Sequence, residues 1–284
     1  MFLKVKELQD AGKKILNALD NEIQTTVSDT LELNCVGKKL YLNVTNQEYY
    51  VSVALDLDVE DNFRFVVDAK LFLALISKIT TTDIELTQNG NALEISANGK
   101  YKIPLIYDSL SQNKGLIELP KIIINNKTLE FDIDGAILSD ILNYNSTEVS
   151  TDNKVRQVQR MYYIDEQGCI TFTSGACVNS FTLPKPVKLL LPSKLVKLFK
   201  LFKKETVHFS LGYDALQNGM IQSKVSFESA STSITAIILG DPAILNTVPV
   251  TAIRERASKQ YDYSMDIQKQ AMVDAIGRLM LFNQ

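Results

Sequence analysis

The chain has 284 residues and a mass of 31.8 kDa, with 30 basic and 33 acidic side chains, three cysteines, one histidine and no tryptophan. At about 100–200 residues per domain, that length holds two domains and leaves little for a third. No run reaches the roughly 18 apolar residues that a membrane helix needs, and the stretch MFLKVKELQD lacks a signal-peptide core, so a soluble cytoplasmic protein with no membrane partner is expected.

In chain order, one motif recurs: a short apolar strand, a polar residue able to cap, and an amphipathic helix of about three turns. It begins at Phe2 (FLKVKELQDAGKKILNAL), Phe63 (FRFVVDAKLFLALISKI), Leu129 (LEFDIDGAILSDILNY), Val187 (VKLLLPSKLVKLFKLF) and Tyr261 (YDYSMDIQKQAMVDAIGRLM), at spacings of roughly 61, 66, 58 and 74 residues. After each of the first four helices come alternating runs that predict strands, beginning at Leu31, Asp83, Arg160 and Val207. The Asn and Gly of 88–91, 166–168 and 217–219 suit tight hairpins. The carboxylates Asp56, Asp58, Glu60 and Asp61 fall where a strand is expected to yield to a solvated polar turn.

Each unit therefore reads β-α-β-β-β, and sheets with helices on a single face give an α+β fold. Two units make one domain. The expected domains are 1–120 and 121–245, with linkers at Leu119-Pro120 and Pro242 to Pro249. Residues 246–284 then hold a linker and the first helix, Ile267 to Leu281, of a third domain that the chain begins and does not finish.

Chemistry finds little support. Cys35, Cys169 and Cys177 are an odd number without CxxC spacing, which favours ordinary thiols over disulfides or a zinc ribbon. His208 sits in the alternating stretch VHFSLGY with no metal ligand at suitable spacing, and reads as a strand residue facing solvent or a neighbour. GxGxxG, GxxxxGK[ST], HExxH and GxSxG are all absent. No catalytic residue, metal or cofactor is expected.

The helices carry a different signal. In the predicted helix Ser193 to Lys204, Leu195, Leu198, Phe199 and Phe202 form a core-facing stripe, while Lys194, Lys197, Lys200, Lys203 and Lys204 give five lysines in eleven residues. Lys6, Lys13 and Lys14 stand opposite Leu8, Ala11, Ile15 and Leu19 in the first helix. Lys70 and Lys78 belong to the second, and Lys154 and Arg156 to a predicted loop. A charge run is usually a solvated face, but here equivalent helices are lysine-rich in a protein of net charge −3. Without interleaved stacking aromatics or an arginine-rich recognition helix, such faces suit sequence-independent attraction to phosphates, with a salt slope of about −0.9 per contact on duplex DNA.

The repeated unit and several segments resemble the bacterial sliding clamp, the β subunit of DNA polymerase III, across essentially the whole chain at low identity. FVVDAKLFLALISKI with DIELTQNGNALEISANGKYKIPLI is similar to the second half of that family's first domain. TFTSGACVNSFTLP resembles its threonine-aspartate-glycine segment, and LLLPSKLVKLFKLF its proline-started helix. The resemblance implies a DNA-clamp fold and a DNA polymerase processivity factor, in bacterial or infected-host cytoplasm. Such a protein encircles duplex DNA as a ring-forming homo-oligomer, is served by a clamp loader, tethers the replicative polymerase and is not an enzyme. The lysines and arginine above would line the hole.

By the same resemblance, Val158, Thr173, Gly175, Ala176, Cys177 and Val178 with Pro242, Asn246, Thr247 and Val248 would form a pocket for a linear peptide. Ala-Cys and Asn-Thr replace the family's His-Arg and Arg-Val, leaving a neutral groove. The alternative for Gly175 is a plain turn glycine. Tyr101 and Ile103 lie on an edge strand that would close the ring. Two alternatives stay open, a two-domain clamp closing as a trimer and a clamp-fold interaction module that does not encircle DNA.

Overall fold

A computed structural model describes residues 1–19, 25, 27–108, 115–152, 154–202, 205–216, 221–260 and 265–280. Residues Met1–Val248 form one compact unit and Pro249–Gln284 a second.

Strand β1 (Phe2–Lys4) leads into helix α1 (Val5–Leu16), whose Leu8, Ala11 and Ile15 are buried as the apolar spacing requires. Strands β2 (Thr30–Thr45) and β3 (Tyr49–Asp68) follow, then α2 (Ala69–Lys78), β4 (Asp83–Asn89), β5 (Ala92–Ser96) and β6 (Lys100–Pro104). The carboxylate of Asp68 accepts from Leu71 N at 2.7 Å and starts α2. Gly12 sits where an added Cβ would lie 3.1 Å from Leu73 Cδ2, so α1 and α2 pack closely.

The second half repeats the plan with β7 (Lys127–Asp134), α3 (Gly135–Asn145), β8 (Met161–Asp165), β9 (Gly168–Phe172), β10 (Ala176–Ser180), β11 (Lys188–Pro192), α4 (Ser193–Val196), β12 (Thr206–Ala215), β13 (Ile221–Glu228) and β14 (Thr232–Ile238). Asp134 caps α3 through Ala136 N at 2.8 Å. The expectation of a capping side chain fails at the other two starts, where Lys4 and Pro192 precede α1 and α4 without a side-chain cap bond. Helix α3 packs on α4 and the turn after it, as α1 packs on α2.

Three antiparallel sheets result, in the orders β1-β4-β5-β6, β10-β9-β8-β11 and β2-β3-β14-β13-β12-β7. The third joins the two halves: β14 pairs with β3 over Thr232↔Val53 to Ala236↔Tyr49, and Ala54 N donates to Ser231 O at 2.8 Å. Gly90, at φ 59°, turns the β4–β5 hairpin and Gly168, at φ 146°, the β8–β9 hairpin. The hairpin expected at 217–219 lies outside the described residues.

Two further expectations are corrected. Asp56, Asp58, Glu60 and Asp61 belong to the β3 span, not to a loop. The β2–β3 register breaks between Gly37 and Lys39, so that Gly37 faces Asp61 while Lys39 faces Asp56, and the intervening residues interrupt pairing and stay solvated. The helix expected over 193–204 is α-helical only to Val196 and 3₁₀ over Lys197–Leu201. At the expected linkers, Leu119 is buried with Tyr50 and Val66, and Pro242–Leu245 forms a helical turn, α5, capped by Asp241.

The reason for the 3₁₀ stretch is a strict three-residue repeat. Leu195, Leu198 and Leu201 form one row, Val196, Phe199 and Phe202 a second, and Lys194, Lys197 and Lys200 a third, matching three residues per turn. Both apolar rows are buried, and Phe199 meets Phe227 edge-on at 4.9 Å. Truncating such a buried phenylalanine to alanine costs about 3–5 kcal/mol.

In the second unit, α6 (Val250–Ala257) and α7 (Lys269–Met280) carry no buried residue. The helix expected from Ile267 begins at Lys269, and part of the strand expected before it, 261–264, lies outside the described residues.

Candidate nucleic-acid interface

The three-residue repeat fixes the clearest cationic surface. Lys197 and Lys200 are exposed, nearly eclipsed one turn apart, and have no ion pair among the described residues; Lys194, one turn earlier, is half-buried. Lys203 and Lys204 lie outside the described residues. Beside this turn runs a groove of about 280 Å³, to which Lys194 and Lys197 contribute together with Arg160, Glu48, Ser150 and Gln157. Arg160 was missed by sequence reasoning, because it enters the groove from the 3₁₀ turn Gln157–Arg160, far from the lysines in sequence.

On α1 and α2 the lysines divide by partner. Lys6 and Lys78 are exposed. Lys13 pairs with Asp10 at 3.0 Å and Lys70 with Asp29 at 3.1 Å, both on the surface where such pairs are worth little. Lys14 is half-buried and donates to Ser231 Oγ at 3.2 Å and Thr232 Oγ1 at 3.0 Å, which turns a candidate phosphate contact into a strut to the β13–β14 turn. Lys154 and Arg156 are exposed in the loop between α3 and β8.

The residues named for a peptide pocket fall into two groups. Thr173 and Gly175 lie at the β9–β10 turn, where Thr173 Oγ1 donates to Glu148 Oε2 at 2.6 Å and Gly175 N to the same oxygen at 3.2 Å. These two donors hold the Glu148 carboxyl below its ordinary pKa, the Thr173 hydroxyl most. Ala176, Cys177 and Val178 run along the edge strand β10, with Cys177 Sγ donating to Tyr144 O at 3.3 Å. Behind them Asn145 is buried and donates from Nδ2 to Cys169 O at 3.3 Å and Cys177 O at 3.3 Å.

Val158 is buried at the entry to β8, while Pro242, Asn246 and Thr247 are exposed and Val248 is buried. Helix α5 packs against β11, the opposite edge of the sheet from β10, with β9 and β8 between. At about 4.8 Å per strand the two edges are about 14 Å apart. Apart from Val158, the ten residues thus lie at both edges of this sheet, Thr173 to Val178 on one side and Pro242 to Val248 on the other.

The β6 edge pairs only with β5 among the described residues. Ile103 is buried in the chain's own core and Tyr101 half-buried against it, so the edge offers its backbone and not its apolar side chains. His208, on β12, donates from Nδ1 to Asp132 Oδ1 at 2.8 Å and approaches Glu130 Oε1 at 3.3 Å with Nε2. The sequence around His208 gave no sign of this, because both carboxylates come from the neighbouring strand β7. Among the described residues no helix is long and apolar enough to cross a membrane.

No protein-family model matches the sequence, and no curated protein matches it. Solved structures do resemble the fold. The DNA polymerase III subunit beta of Pseudomonas aeruginosa superposes with a TM-score of 0.70 at 15% identity, over 88% of this chain and 68% of that one. The corresponding subunit of Thermotoga maritima gives 0.67 at 15% identity, over 87% and 67%. The Helicobacter pylori beta clamp bound to a DNA ligase peptide gives 0.65 at 14% identity, over 85% and 66%. The chain thus spans about two thirds of the length of these proteins, and it has the fold of the bacterial DNA polymerase III beta sliding clamps.

Proposed function

We propose that this chain is a DNA polymerase processivity factor: a non-catalytic ring component that encircles duplex DNA without sequence specificity and tethers a replicative polymerase. On this reading 1–120 and 121–245 are two clamp domains, 246–284 opens a third, and the protein acts in the cytoplasm with a clamp loader. Several copies close the ring. The β3–β14 pairing inside the chain supplies the pattern for that closure, and β6 is an edge strand that pairs only with β5 among the described residues. The site around Thr173 and Gly175 would receive a linear peptide from the polymerase.

One observation carries the proposal. On a clamp fold, the helical turn of the fourth unit buries two rows of its three-residue repeat and presents from the third Lys197 and Lys200 to solvent, with no carboxylate partner among the described residues. An inward cationic row of this kind holds a polyanion loosely, by counterion release, and leaves it free to slide.

The test is topological. The protein is threaded onto a linear duplex with one end fixed to a bead, and the free end is then blocked with streptavidin. A clamp stays on the blocked DNA at salt concentrations that abolish ordinary binding, and leaves when a restriction enzyme reopens the end. Equal loss from blocked and open duplexes refutes encirclement, and unchanged retention by a Lys197→Glu/Lys200→Glu variant refutes the lysine row.

A further inference from the structure

A second surface has the opposite character. Between β1 and the register break of β3 lies a groove of about 680 Å³. Phe2, Leu57 and Val59 provide apolar lining, with Phe2 72% and Val59 73% exposed, and Asp56, Asp58 and Asp61 provide an acidic rim. Of the cations lining it among the described residues, Lys4 is committed to Asp83 at 2.7 Å and the Met1 ammonium donates to Leu86 O at 2.9 Å. Large apolar side chains left in water beside carboxylates, of which Asp56 has only a loose surface contact with Lys39 at 3.8 Å, mark a surface built for a partner.

The strand beside the groove is open as well. β1 pairs only with β4 among the described residues, through Leu86 N to Met1 O at 2.8 Å, Leu3 opposite Ile84, and Val5 N to Thr82 O at 3.0 Å. In an antiparallel ladder alternate residues turn their backbone groups to opposite sides, so those of Phe2 point away from β4. An extended segment laid there gains main-chain hydrogen bonds, and its alternate side chains reach the apolar lining and the acidic rim. The rim repels nucleic acid, which separates this surface from the lysine row.

We propose that the groove along β1 docks an extended segment of a partner protein in which basic and apolar residues alternate. The inference does not depend on DNA encirclement. Its test is fluorescence anisotropy of the full chain with a labelled heptapeptide alternating lysine with valine, beside a control with glutamate in place of lysine. The lysine peptide is expected to saturate and the glutamate peptide not to bind.

An Asp56→Lys/Asp58→Lys variant should weaken binding by about tenfold or more, as loss of a complementary charge set does. Val59→Ser, at an exposed position that leaves folding intact, should weaken it independently, and Lys197→Glu should leave it unchanged. Equal binding of both peptides, or unaltered affinity in the charge-reversed variant, overturns the proposal. So does wild-type self-association that Asp58→Lys abolishes and the lysine peptide cannot displace, which assigns the groove to a second copy of the chain.

Discussion

The Lys14 ammonium lies 3.0 Å from Thr232 Oγ1, and this bond ties the first helix of the chain to the turn that delivers β14 onto β3. Lys14 is thereby a candidate DNA contact whose charge already serves the junction between the two halves. Lys14→Met keeps the stem and removes the donor to both Ser231 and Thr232, two part-buried hydrogen bonds together worth about 1–2 kcal/mol. Urea denaturation should show a loss of that size. Lys197→Met, whose ammonium has no partner among the described residues, should leave stability unchanged and reduce DNA association more. Reversal of that order would make Lys14 a phosphate ligand and Lys197 a structural residue.

A part-buried ion pair ties the segment after β6 to the β2–β3 ladder. Arg64 donates from Nε to Glu32 Oε1 at 2.6 Å and from Nη2 to Ile117 O at 2.6 Å, while Asn43 Nδ2 donates to Glu32 Oε2 at 2.7 Å. The Glu32 side chain is only 5% exposed, so Arg64→Leu strands a carboxylate in the core and is expected to cost about 3 kcal/mol. Pairing it with Glu32→Leu should recover most of that loss. A double variant no more stable than Arg64→Leu alone would mean that the guanidinium acts by anchoring Ile117 and not by neutralising Glu32.

The unit plan was legible because it rests on local signals: apolar spacing, Asp68 and Asp134 ahead of their helices, and glycine at Gly90 and Gly168. The 3₁₀ turn was legible too, but its buried residues Leu195, Leu198, Phe199 and Phe202 also fit an α-helical stripe. The three-residue lysine row, with Leu201 and Val196 buried beside it, decides between the two periods. The β3 carboxylates were misread because a register break depends on the partner strand and leaves no mark in the acidic run itself. Glu148 with Thr173, and Lys14 with Thr232, are 25 and 218 residues apart, beyond any local pattern.

His208 gives the sheet a pH signature. Its hydrogen bond to Asp132, and then the contact with Glu130, raise its pKa above the ordinary value near 6.5. Glu130 is lowered to about 2, mainly by Lys127, then by His208 and Ser210. The histidine therefore adds stability below pH about 6.5, lost as pH rises through its higher folded value, and the glutamate adds stability above its ordinary range, lost as pH falls toward 2. Glu228, opposite His208 on β13, adds a further carboxylate to the same neighbourhood. Urea midpoints should fall between pH 6 and pH 8 in the wild type, and that fall should shrink in His208→Gln. An identical fall in the variant would place the titration elsewhere.

Gly175 offers a choice between turn geometry and contact. Its φ is not among the positive values, so an alanine there strains no backbone, but the new Cβ would lie 3.2 Å from Glu148 Oε1. The carboxylate would have to move a few tenths of an ångström from a position fixed by Thr173 Oγ1 and Gly175 N. Gly175→Ala and Glu148→Ala should each lower the urea midpoint, and the double variant should lose less than the sum, because the second change has no contact left to break. Additive losses would show that Gly175 acts through the turn alone. The coupling should also weaken as pH falls, since Glu148 is held below its ordinary pKa by these same donors and accepts less well once protonated.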